Sequence, residues 1–296
     1  MTQRFLPPIL LCCALAQPCL ASAHGMQPLA DDALSSVQGR DGLSFDLANF
    51  SMSGDARFTY YAPSPSTASA YIGNIFATRS DDPANPFGDP YRLDIVRGES
   101  GLADVITLAF PENANSAKRW QVAYDWGVHA DGMAFEGGSV VLRDVVFRGG
   151  GLQWTTPRAG DGIAFGLGLR VDVGNLLLRP RGRGDISVAE PASVTEQMNI
   201  RGLRLGAVDS NGNFLNTPWR IADVSSQPGI FNAVTDAAGN SRLHIGIDWP
   251  DARGAALGGL QIDNLSFRSD MTGNLDLGSS RIGSMQIQYM DIKVRP

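Results

Sequence analysis

The dominant pattern in this chain is the alternation of apolar residues with small or polar ones. Apolar residues occupy every second position from Ile163 to Val173, and Ala, Gly, Arg or Asp fill the positions between them. Shorter runs of the same kind cover residues 106–110, 122–128 and 243–249. A period of two gives a β-strand one apolar face and one polar face. The pattern therefore predicts a mostly β protein whose strands are buried on one side.

A short acidic motif precedes several of these strands. Asp-Gly or Asp-Asn is followed by an apolar residue, a small residue and Phe at residues 41–45, 131–135, 161–165 and 263–267. Asp-Gly and Asp-Asn favour the positive φ angles of a tight turn. Four turn-and-strand units at unequal intervals predict one supersecondary unit used repeatedly. The expected fold is all-β, either an antiparallel meander or sandwich, or a β-solenoid-like stack.

One segment near the N-terminus has helical rather than strand periodicity. Leu29, Leu34 and Val37 lie within it, Asp31 is placed to cap its start, and Gly39 fits its end. We expect one short helix over residues 29–39. The apolar face of this helix either recognises a partner or packs against the end of the sheet.

Proline-rich and polar stretches divide the rest of the chain. Residues 62–90 contain five prolines among Ser, Thr, Asn and Asp, which predicts a long loop or a boundary. This division gives an N-terminal helix and first strands over 24–61 and a main β domain over 91–296. Residues 179–191 predict a second, exposed connection.

The first 23 residues have the features of a secretory signal. Arg4 begins the segment, residues 5–20 are mainly apolar, and Ala21-Ser22-Ala23 provides small residues at a cleavage site. We expect cleavage between Ala23 and His24. Export places the mature chain in the periplasm, at the outer-membrane surface or outside the cell.

Composition narrows the range of partners. The chain contains three cysteines, all within residues 1–23, so the mature protein has neither disulfides nor thiolate ligands. The formal net charge is −6 and no basic stripe is present, which argues against nucleic acid. Other envelope or surface proteins are the expected partners, and membrane association remains open.

No residue pattern marks a catalytic, cofactor or metal site. His129 and His244 lack the spacing of a metal pair, and no nucleophile-elbow motif is present. The Asp-rich stretch 209–213 departs from the calcium-loop pattern and predicts a turn. Trp126 and Trp249 fall on apolar strand faces, which favours core packing over sugar stacking. We identify no small-molecule ligand from these patterns, and a non-enzymatic role is expected.

The segment 26–45 resembles the mature N-terminus of FilA-like putative pilus-system proteins and related uncharacterised secreted proteins of Gram-negative bacteria. The shared pattern is a short Leu- and Val-containing helix followed by Asp41-Gly42 and an alternating strand, with Arg40 in place of the usual Gln. The glycine-rich stretch 258–263 is also similar in style to the β-rich ends of that family. The resemblance implies a surface or pilus-associated structural role and carries no catalytic residues.

Two alternatives remain beside an exported structural protein. Alternation over about ten residues also describes an outer-membrane β-barrel, although the chain ends in Pro296 rather than an aromatic residue. A carbohydrate-binding module or hydrolase that uses Trp and Asp side chains is the other.

Overall fold

The computed structural model describes residues 42–62, 67–86, 88–114, 117–192, 195–248 and 256–294. The predicted signal over 1–23, its cleavage site at Ala23 and His24, and the predicted helix over 29–39 lie outside these residues. So does Trp249.

The described residues form a single hydrogen-bonded network of sixteen strands. The strands are β1 (Leu43–Phe45), β2 (Ser51–Ser53), β3 (Arg57–Tyr61), β4 (Ser69–Arg79), β5 (Tyr91–Val96), β6 (Val105–Ala109), β7 (Trp120–Ala130), β8 (Met133–Thr155), β9 (Ile163–Arg179), β10 (Gln197–Ala207), β11 (Trp219–Ala222), β12 (Gly229–Thr235), β13 (Ser241–Asp248), β14 (Gly258–Ser269), β15 (Gly273–Met285) and β16 (Tyr289–Val294).

The all-β prediction is confirmed over the described residues, which contain strands and no helix. The paired strands run antiparallel, and β7, β8, β9 and β10 are neighbours in chain order, as in a meander. The main path runs β1-β5-β6-β8-β9-β10-β14-β15, and its two end strands do not pair with each other in the part of the chain described, so the sheet is open.

Two long strands, β8 and β9, form the spine of this sheet. One edge of β8 pairs with β9, while its other edge pairs first with β7 and then with β6. The partner of β8 changes at Gly149, Gly150 and Gly151, which all have positive φ angles. The other edge of β9 is likewise shared, because it pairs first with β12, then with β11 and then with β10. Through these pairings, β8 and β9 connect the strands on one side of the network to those on the other.

A row of turn-favouring residues crosses the sheet in the middle of its strands. In β9, apolar residues occupy odd positions up to Val173 and then even positions from Leu176, so one interval is three residues instead of two. The same three-residue step occurs in β4, β8, β10 and β14, and in β15 the corresponding interval, from Leu277 to Ile282, is five residues. We call the residues at these steps the step row: Asn74, Asp144, Gly174, Gly202, Asp263 and Gly278.

The step keeps most apolar residues of these strands on one side of the sheet, while Ala123, Val141 and Leu177 form a smaller buried cluster with Phe76 and Ile186 on the other. Strict alternation would place residues three apart on opposite faces. Instead, Leu142 and Leu176, from one side of the row, pack against the buried cluster of Trp120, Val145 and Val173 from the other. We call this face of the sheet the apolar side and the opposite face the polar side.

Backbone conformation explains the step in β4, β8, β10 and β15. Asn74, Asp144, Gly202 and Gly278 have φ angles of 53°, 54°, 65° and 71°. This left-handed region is open to Gly and is tolerated best by Asn and Asp among other residues. A left-handed residue inserted between extended ones breaks the alternation once, as in a β-bulge.

Neighbouring strands fit together along the row because glycines lie beside the acidic residues. A Cβ on Gly202 would lie 2.1 Å from Oδ2 of Asp263 on β14. A Cβ on Gly174 would lie 2.8 Å from Cβ of Asp144 on β8. Gly174 and Gly202 therefore leave room for the adjacent acidic side chains.

Two predictions of local structure need correction, while two others hold. Asp263-Asn264, predicted to form a turn, lies inside β14, because the pair occupies a step rather than a chain reversal. Residues 62–90 are not one continuous loop, since Ser69–Arg79 form β4 and pair with β2, β3 and β7.

Asp131 and Gly132 form the predicted positive-φ turn between β7 and β8, with φ of 52° and 76°. Residues 209–213 also form the predicted turn, in which the carboxylate of Asp209 accepts backbone N–H bonds.

Substitution of Gly202 tests the step row. We expect Gly202→Ala to lower the free energy of unfolding by more than about 1–2 kcal/mol, the cost of a left-handed non-glycine residue, because the new Cβ also meets Asp263. The matched control is Gly283→Ala on β15, where an added Cβ meets nothing within 4 Å. Urea unfolding followed by circular dichroism gives both values, and equal losses would contradict the role of the row.

Candidate functional site

The apolar side is covered at its centre and open at both ends. At the first end, Phe58 is 67% exposed and Phe135 is 60% exposed. They belong to a cleft region of aromatic strand residues around Trp126, whose ring meets that of Phe135 edge-on at 6.0 Å. A cleft of about 830 Å³ lies here, lined by Phe58, Ile72, Tyr124, Trp126, Val140 and Leu178. The prediction that Trp126 packs in a core therefore holds only in part, because this tryptophan is half-buried.

The second end of the apolar side is built by strands on the far side of the step row. Ile95 and Ile106 are paired on β5 and β6, and both are exposed. The exposed strip continues on β9, β12, β13 and β16 through cross-strand neighbours. Its members there are Ile163, Phe231, Leu243, Ile292 and Val294. Contiguous exposed apolar area of this extent is uncommon on monomeric proteins and marks interaction surfaces.

The polar side has a different character on β10, β14 and β15. Strand register places Gln197 beside Arg268 and Asn274, and it places Asn199 beside Ser266 and Asp276. Arg201 and Asn264 form the next row. We call these eight residues the polar grid: Gln197, Asn199, Arg201, Asn264, Ser266, Arg268, Asn274 and Asp276. They line a cleft of about 560 Å³ together with Glu190, Phe267 and Leu275.

The connection between β9 and β10 borders this grid and is held by one buried arginine. Arg179 is fully buried, and its Nε donates to Oε1 of Gln197 at 2.7 Å. The guanidinium also donates to the backbone carbonyls of Asp185 at 2.9 Å, Val188 at 2.9 Å and Ala189 at 3.2 Å. The predicted connection over 179–191 is thus organised around a side chain at its first residue. Burial lowers the pKa of Arg179 without removing its charge.

A second polar cluster ties the same connection to β4, β7 and β8. Arg183 donates to Oδ1 of Asp125 at 3.0 Å, Ser139 donates to the same oxygen at 2.5 Å, and Asn74 donates to Oδ2 at 2.7 Å. Burial works to raise the pKa of Asp125, but these three donors outweigh it and hold the pKa below its usual value. The cluster holds Asn74 of the step row in place.

Several other acidic residues hold turns. Backbone N–H groups lower the pKa of Asp209, and they lower that of Asp236 to about 2. A general acid in glycoside hydrolysis requires the opposite, a raised pKa. These two carboxylates therefore hold turns and do not suit proton donation at neutral pH.

The two histidines considered from sequence lie on separate strands, β7 and β13. Nδ1 of His129 lies 3.4 Å from the carbonyl of Thr67, while His244 lies 2.8 Å from Oδ1 of Asn232 and 3.4 Å from Asp291. Over the described ranges, no group of three or more His, Cys, Asp or Glu residues is placed to hold a metal ion.

Sequence reasoning missed the polar grid. Its members come from residues 197–201, 264–268 and 274–276, and only strand register brings them together. The alternation of Asn, Gln, Arg and Ser with apolar residues in β10 and β14 was the available signal. The candidate residues at Ala23, His24 and 29–39 lie outside the described part of the chain.

Comparison with protein-family models, with curated proteins and with solved structures gave no match in any of the three. Within the described residues, no helix is both long enough and apolar enough to cross a membrane.

Replacement of Arg179 tests how the connection is held. Arg179→Met leaves several buried carbonyls without a donor, so we expect a loss of about 3–5 kcal/mol in the free energy of unfolding and faster hydrogen exchange over 180–192. Arg181→Met is the control, because Arg181 is 56% exposed and its ion pairs with Asp270 and Glu196 are at the surface. We expect a loss below about 1 kcal/mol there. Unchanged exchange in Arg179→Met would show that the connection does not depend on this side chain.

Proposed function

We propose that this chain is a non-enzymatic, exported structural protein of the cell envelope or cell surface, and that it assembles by packing the apolar side of its sheet against a second copy. The observation that supports assembly most strongly is the open apolar side. Export and a pilus-associated role rest on the signal-like residues 1–23 and on the resemblance of residues 26–45 to FilA-like proteins.

The exposed apolar area is large enough for a stable interface. A half-exposed large side chain contributes about 80 Å² of accessible surface. The exposed residues of the apolar side include Leu43, Phe58, Tyr60, Ile72, Ile95, Ile106, Met133, Phe135, Ile163, Phe231, Leu243, Leu275, Leu277, Ile292 and Val294. Together they exceed the area of about 800 Å² that each partner contributes to a standard interface.

A second copy is the occupant that best suits this surface. A sheet with one apolar face is stabilised by packing that face against another apolar face. A second copy presents the same face, and a two-fold axis makes the two surfaces self-complementary. Anionic lipid fits less well, because the chain has a net charge of −6.

This arrangement gives the predicted sandwich a specific form. Each copy supplies one sheet, and the two apolar sides meet through their open ends. The polar sides then face outward. Such a pair is a structural unit rather than a catalyst, in keeping with turn-holding carboxylates such as Asp209 and Asp236.

Adjacent residues on β5 test the proposal directly. Ile95 is 66% exposed on the apolar side, and Val96 is 50% exposed on the polar side. We expect Ile95→Glu to weaken self-association at least tenfold, a change of about 1.4 kcal/mol, and Val96→Glu to leave it unchanged. Sedimentation equilibrium of the chain without residues 1–23 measures both. Circular dichroism checks that each variant folds.

Two results would overturn the proposal. A folded wild-type chain that stays monomeric at every concentration would exclude assembly through this face. Wild-type protein that binds neutral vesicles in place of pairing would assign the apolar side to lipid. A positive hydrolase screen with purified protein would contradict the non-enzymatic part separately.

A further inference from the structure

The polar grid lies on the side of the sheet that assembly leaves open. Its side chains are amides, a hydroxyl, two guanidiniums and a carboxylate, arranged in rows by the register of β10, β14 and β15. The residues between them, such as Met198, Phe267 and Leu275, alternate toward the apolar side, although Phe267 and Leu275 also border the cleft. The grid is therefore a mainly polar surface on three paired strands, and strands hold a binding site more accurately than loops do.

One buried atom in the grid lacks a partner. Asn199 is 8% exposed, and its Oδ1 accepts no hydrogen bond from any described residue. Its neighbour Gln197 differs, since Gln197 accepts from Arg179 and donates to the carbonyl of Ala189 at 2.7 Å. A buried acceptor without a donor costs free energy in the unliganded protein. A hydroxyl or N–H group of a ligand in the cleft would satisfy Asn199.

One arginine of the grid is also available to bind. Arg268 forms no ion pair within the described ranges, unlike Arg181 nearby, which pairs with Asp270 at 2.9 Å. Of the two carboxylates that line the cleft, Glu190 is exposed, and Asp276 accepts from Asn264 at 2.6 Å and from the N–H of Gly278 at 2.8 Å, with Arg201 close enough to lower its pKa. A guanidinium without a partner binds a carboxylate in a two-bond, planar arrangement.

From these observations we propose that the polar grid binds an acidic saccharide, whose hydroxyls donate to Asn199 and whose carboxylate pairs with Arg268. The remaining amides, Asn264 and Asn274, offer further donors and acceptors for ring hydroxyls. The cleft of about 560 Å³ is within the size range of ligand sites. This inference does not depend on assembly through the apolar side.

A matched pair of probes separates charge from hydroxyl recognition. We expect oligogalacturonate to bind the chain without residues 1–23 in isothermal titration calorimetry, and its methyl ester, which keeps the hydroxyls, to bind at least tenfold more weakly. Arg268→Gln should weaken oligogalacturonate binding at least tenfold. Arg97→Gln makes the same charge change on an exposed arginine outside the cleft, and it should leave binding unchanged.

Substitution of Asn199 provides a second variant, which we expect to stay folded. Asn199→Leu removes the unpaired acceptor, so we expect no loss of stability and at least a tenfold loss of oligogalacturonate affinity. Equal binding of the acid and its ester would overturn the pairing with arginine. Absence of saturable binding, or binding that inorganic phosphate abolishes at equal concentration, would overturn the saccharide assignment.

Discussion

The fold depends on a single break in strand alternation that is repeated across the sheet. At the step row, left-handed residues in four strands, such as Asp144 and Gly202, add one residue to the apolar interval. With strict alternation, Leu142 and Val145 of β8 would face opposite sides. With the step, both lie in the cluster around Trp120. The step therefore places most of the exposed apolar residues of the stepped strands on one side of the sheet.

This arrangement also explains how the two surfaces differ. The apolar side is buried around the spine of β8 and β9 and around Ile247, while the exposed strips at its two ends suit another apolar surface. The polar side is covered where Arg179 fixes the connection before β10, and it leaves the polar grid beside that connection accessible. One sheet thus carries the two separate binding surfaces that we propose. Assembly through the first would leave the second facing solvent.

The sequence predicted the structural features that depend on residues close together in the chain. It did not reveal the features that depend on strand register. The alternation over Ile163–Val173 and the turn at Asp131-Gly132 were predicted correctly, since both are local. Asp263-Asn264 was interpreted as a turn because the same residue types favour turns and left-handed steps. The sequence of a single strand does not show that its step lies beside Gly202 on the neighbouring strand β10. The polar grid was missed for the same reason, because it forms only when β10, β14 and β15 pair.

The most direct test of the account is the reactivity of single cysteines, since residues 24–296 contain no cysteine of their own. Ile95→Cys and Leu275→Cys lie on the apolar side in the two halves of the sheet, and Val96→Cys lies on the polar side. The rate of maleimide labelling is measured as protein concentration rises. The account predicts that the first two become protected together while Val96→Cys stays reactive. Protection of only one of the two, or of neither at any concentration, would contradict a shared apolar side that pairs with a second copy.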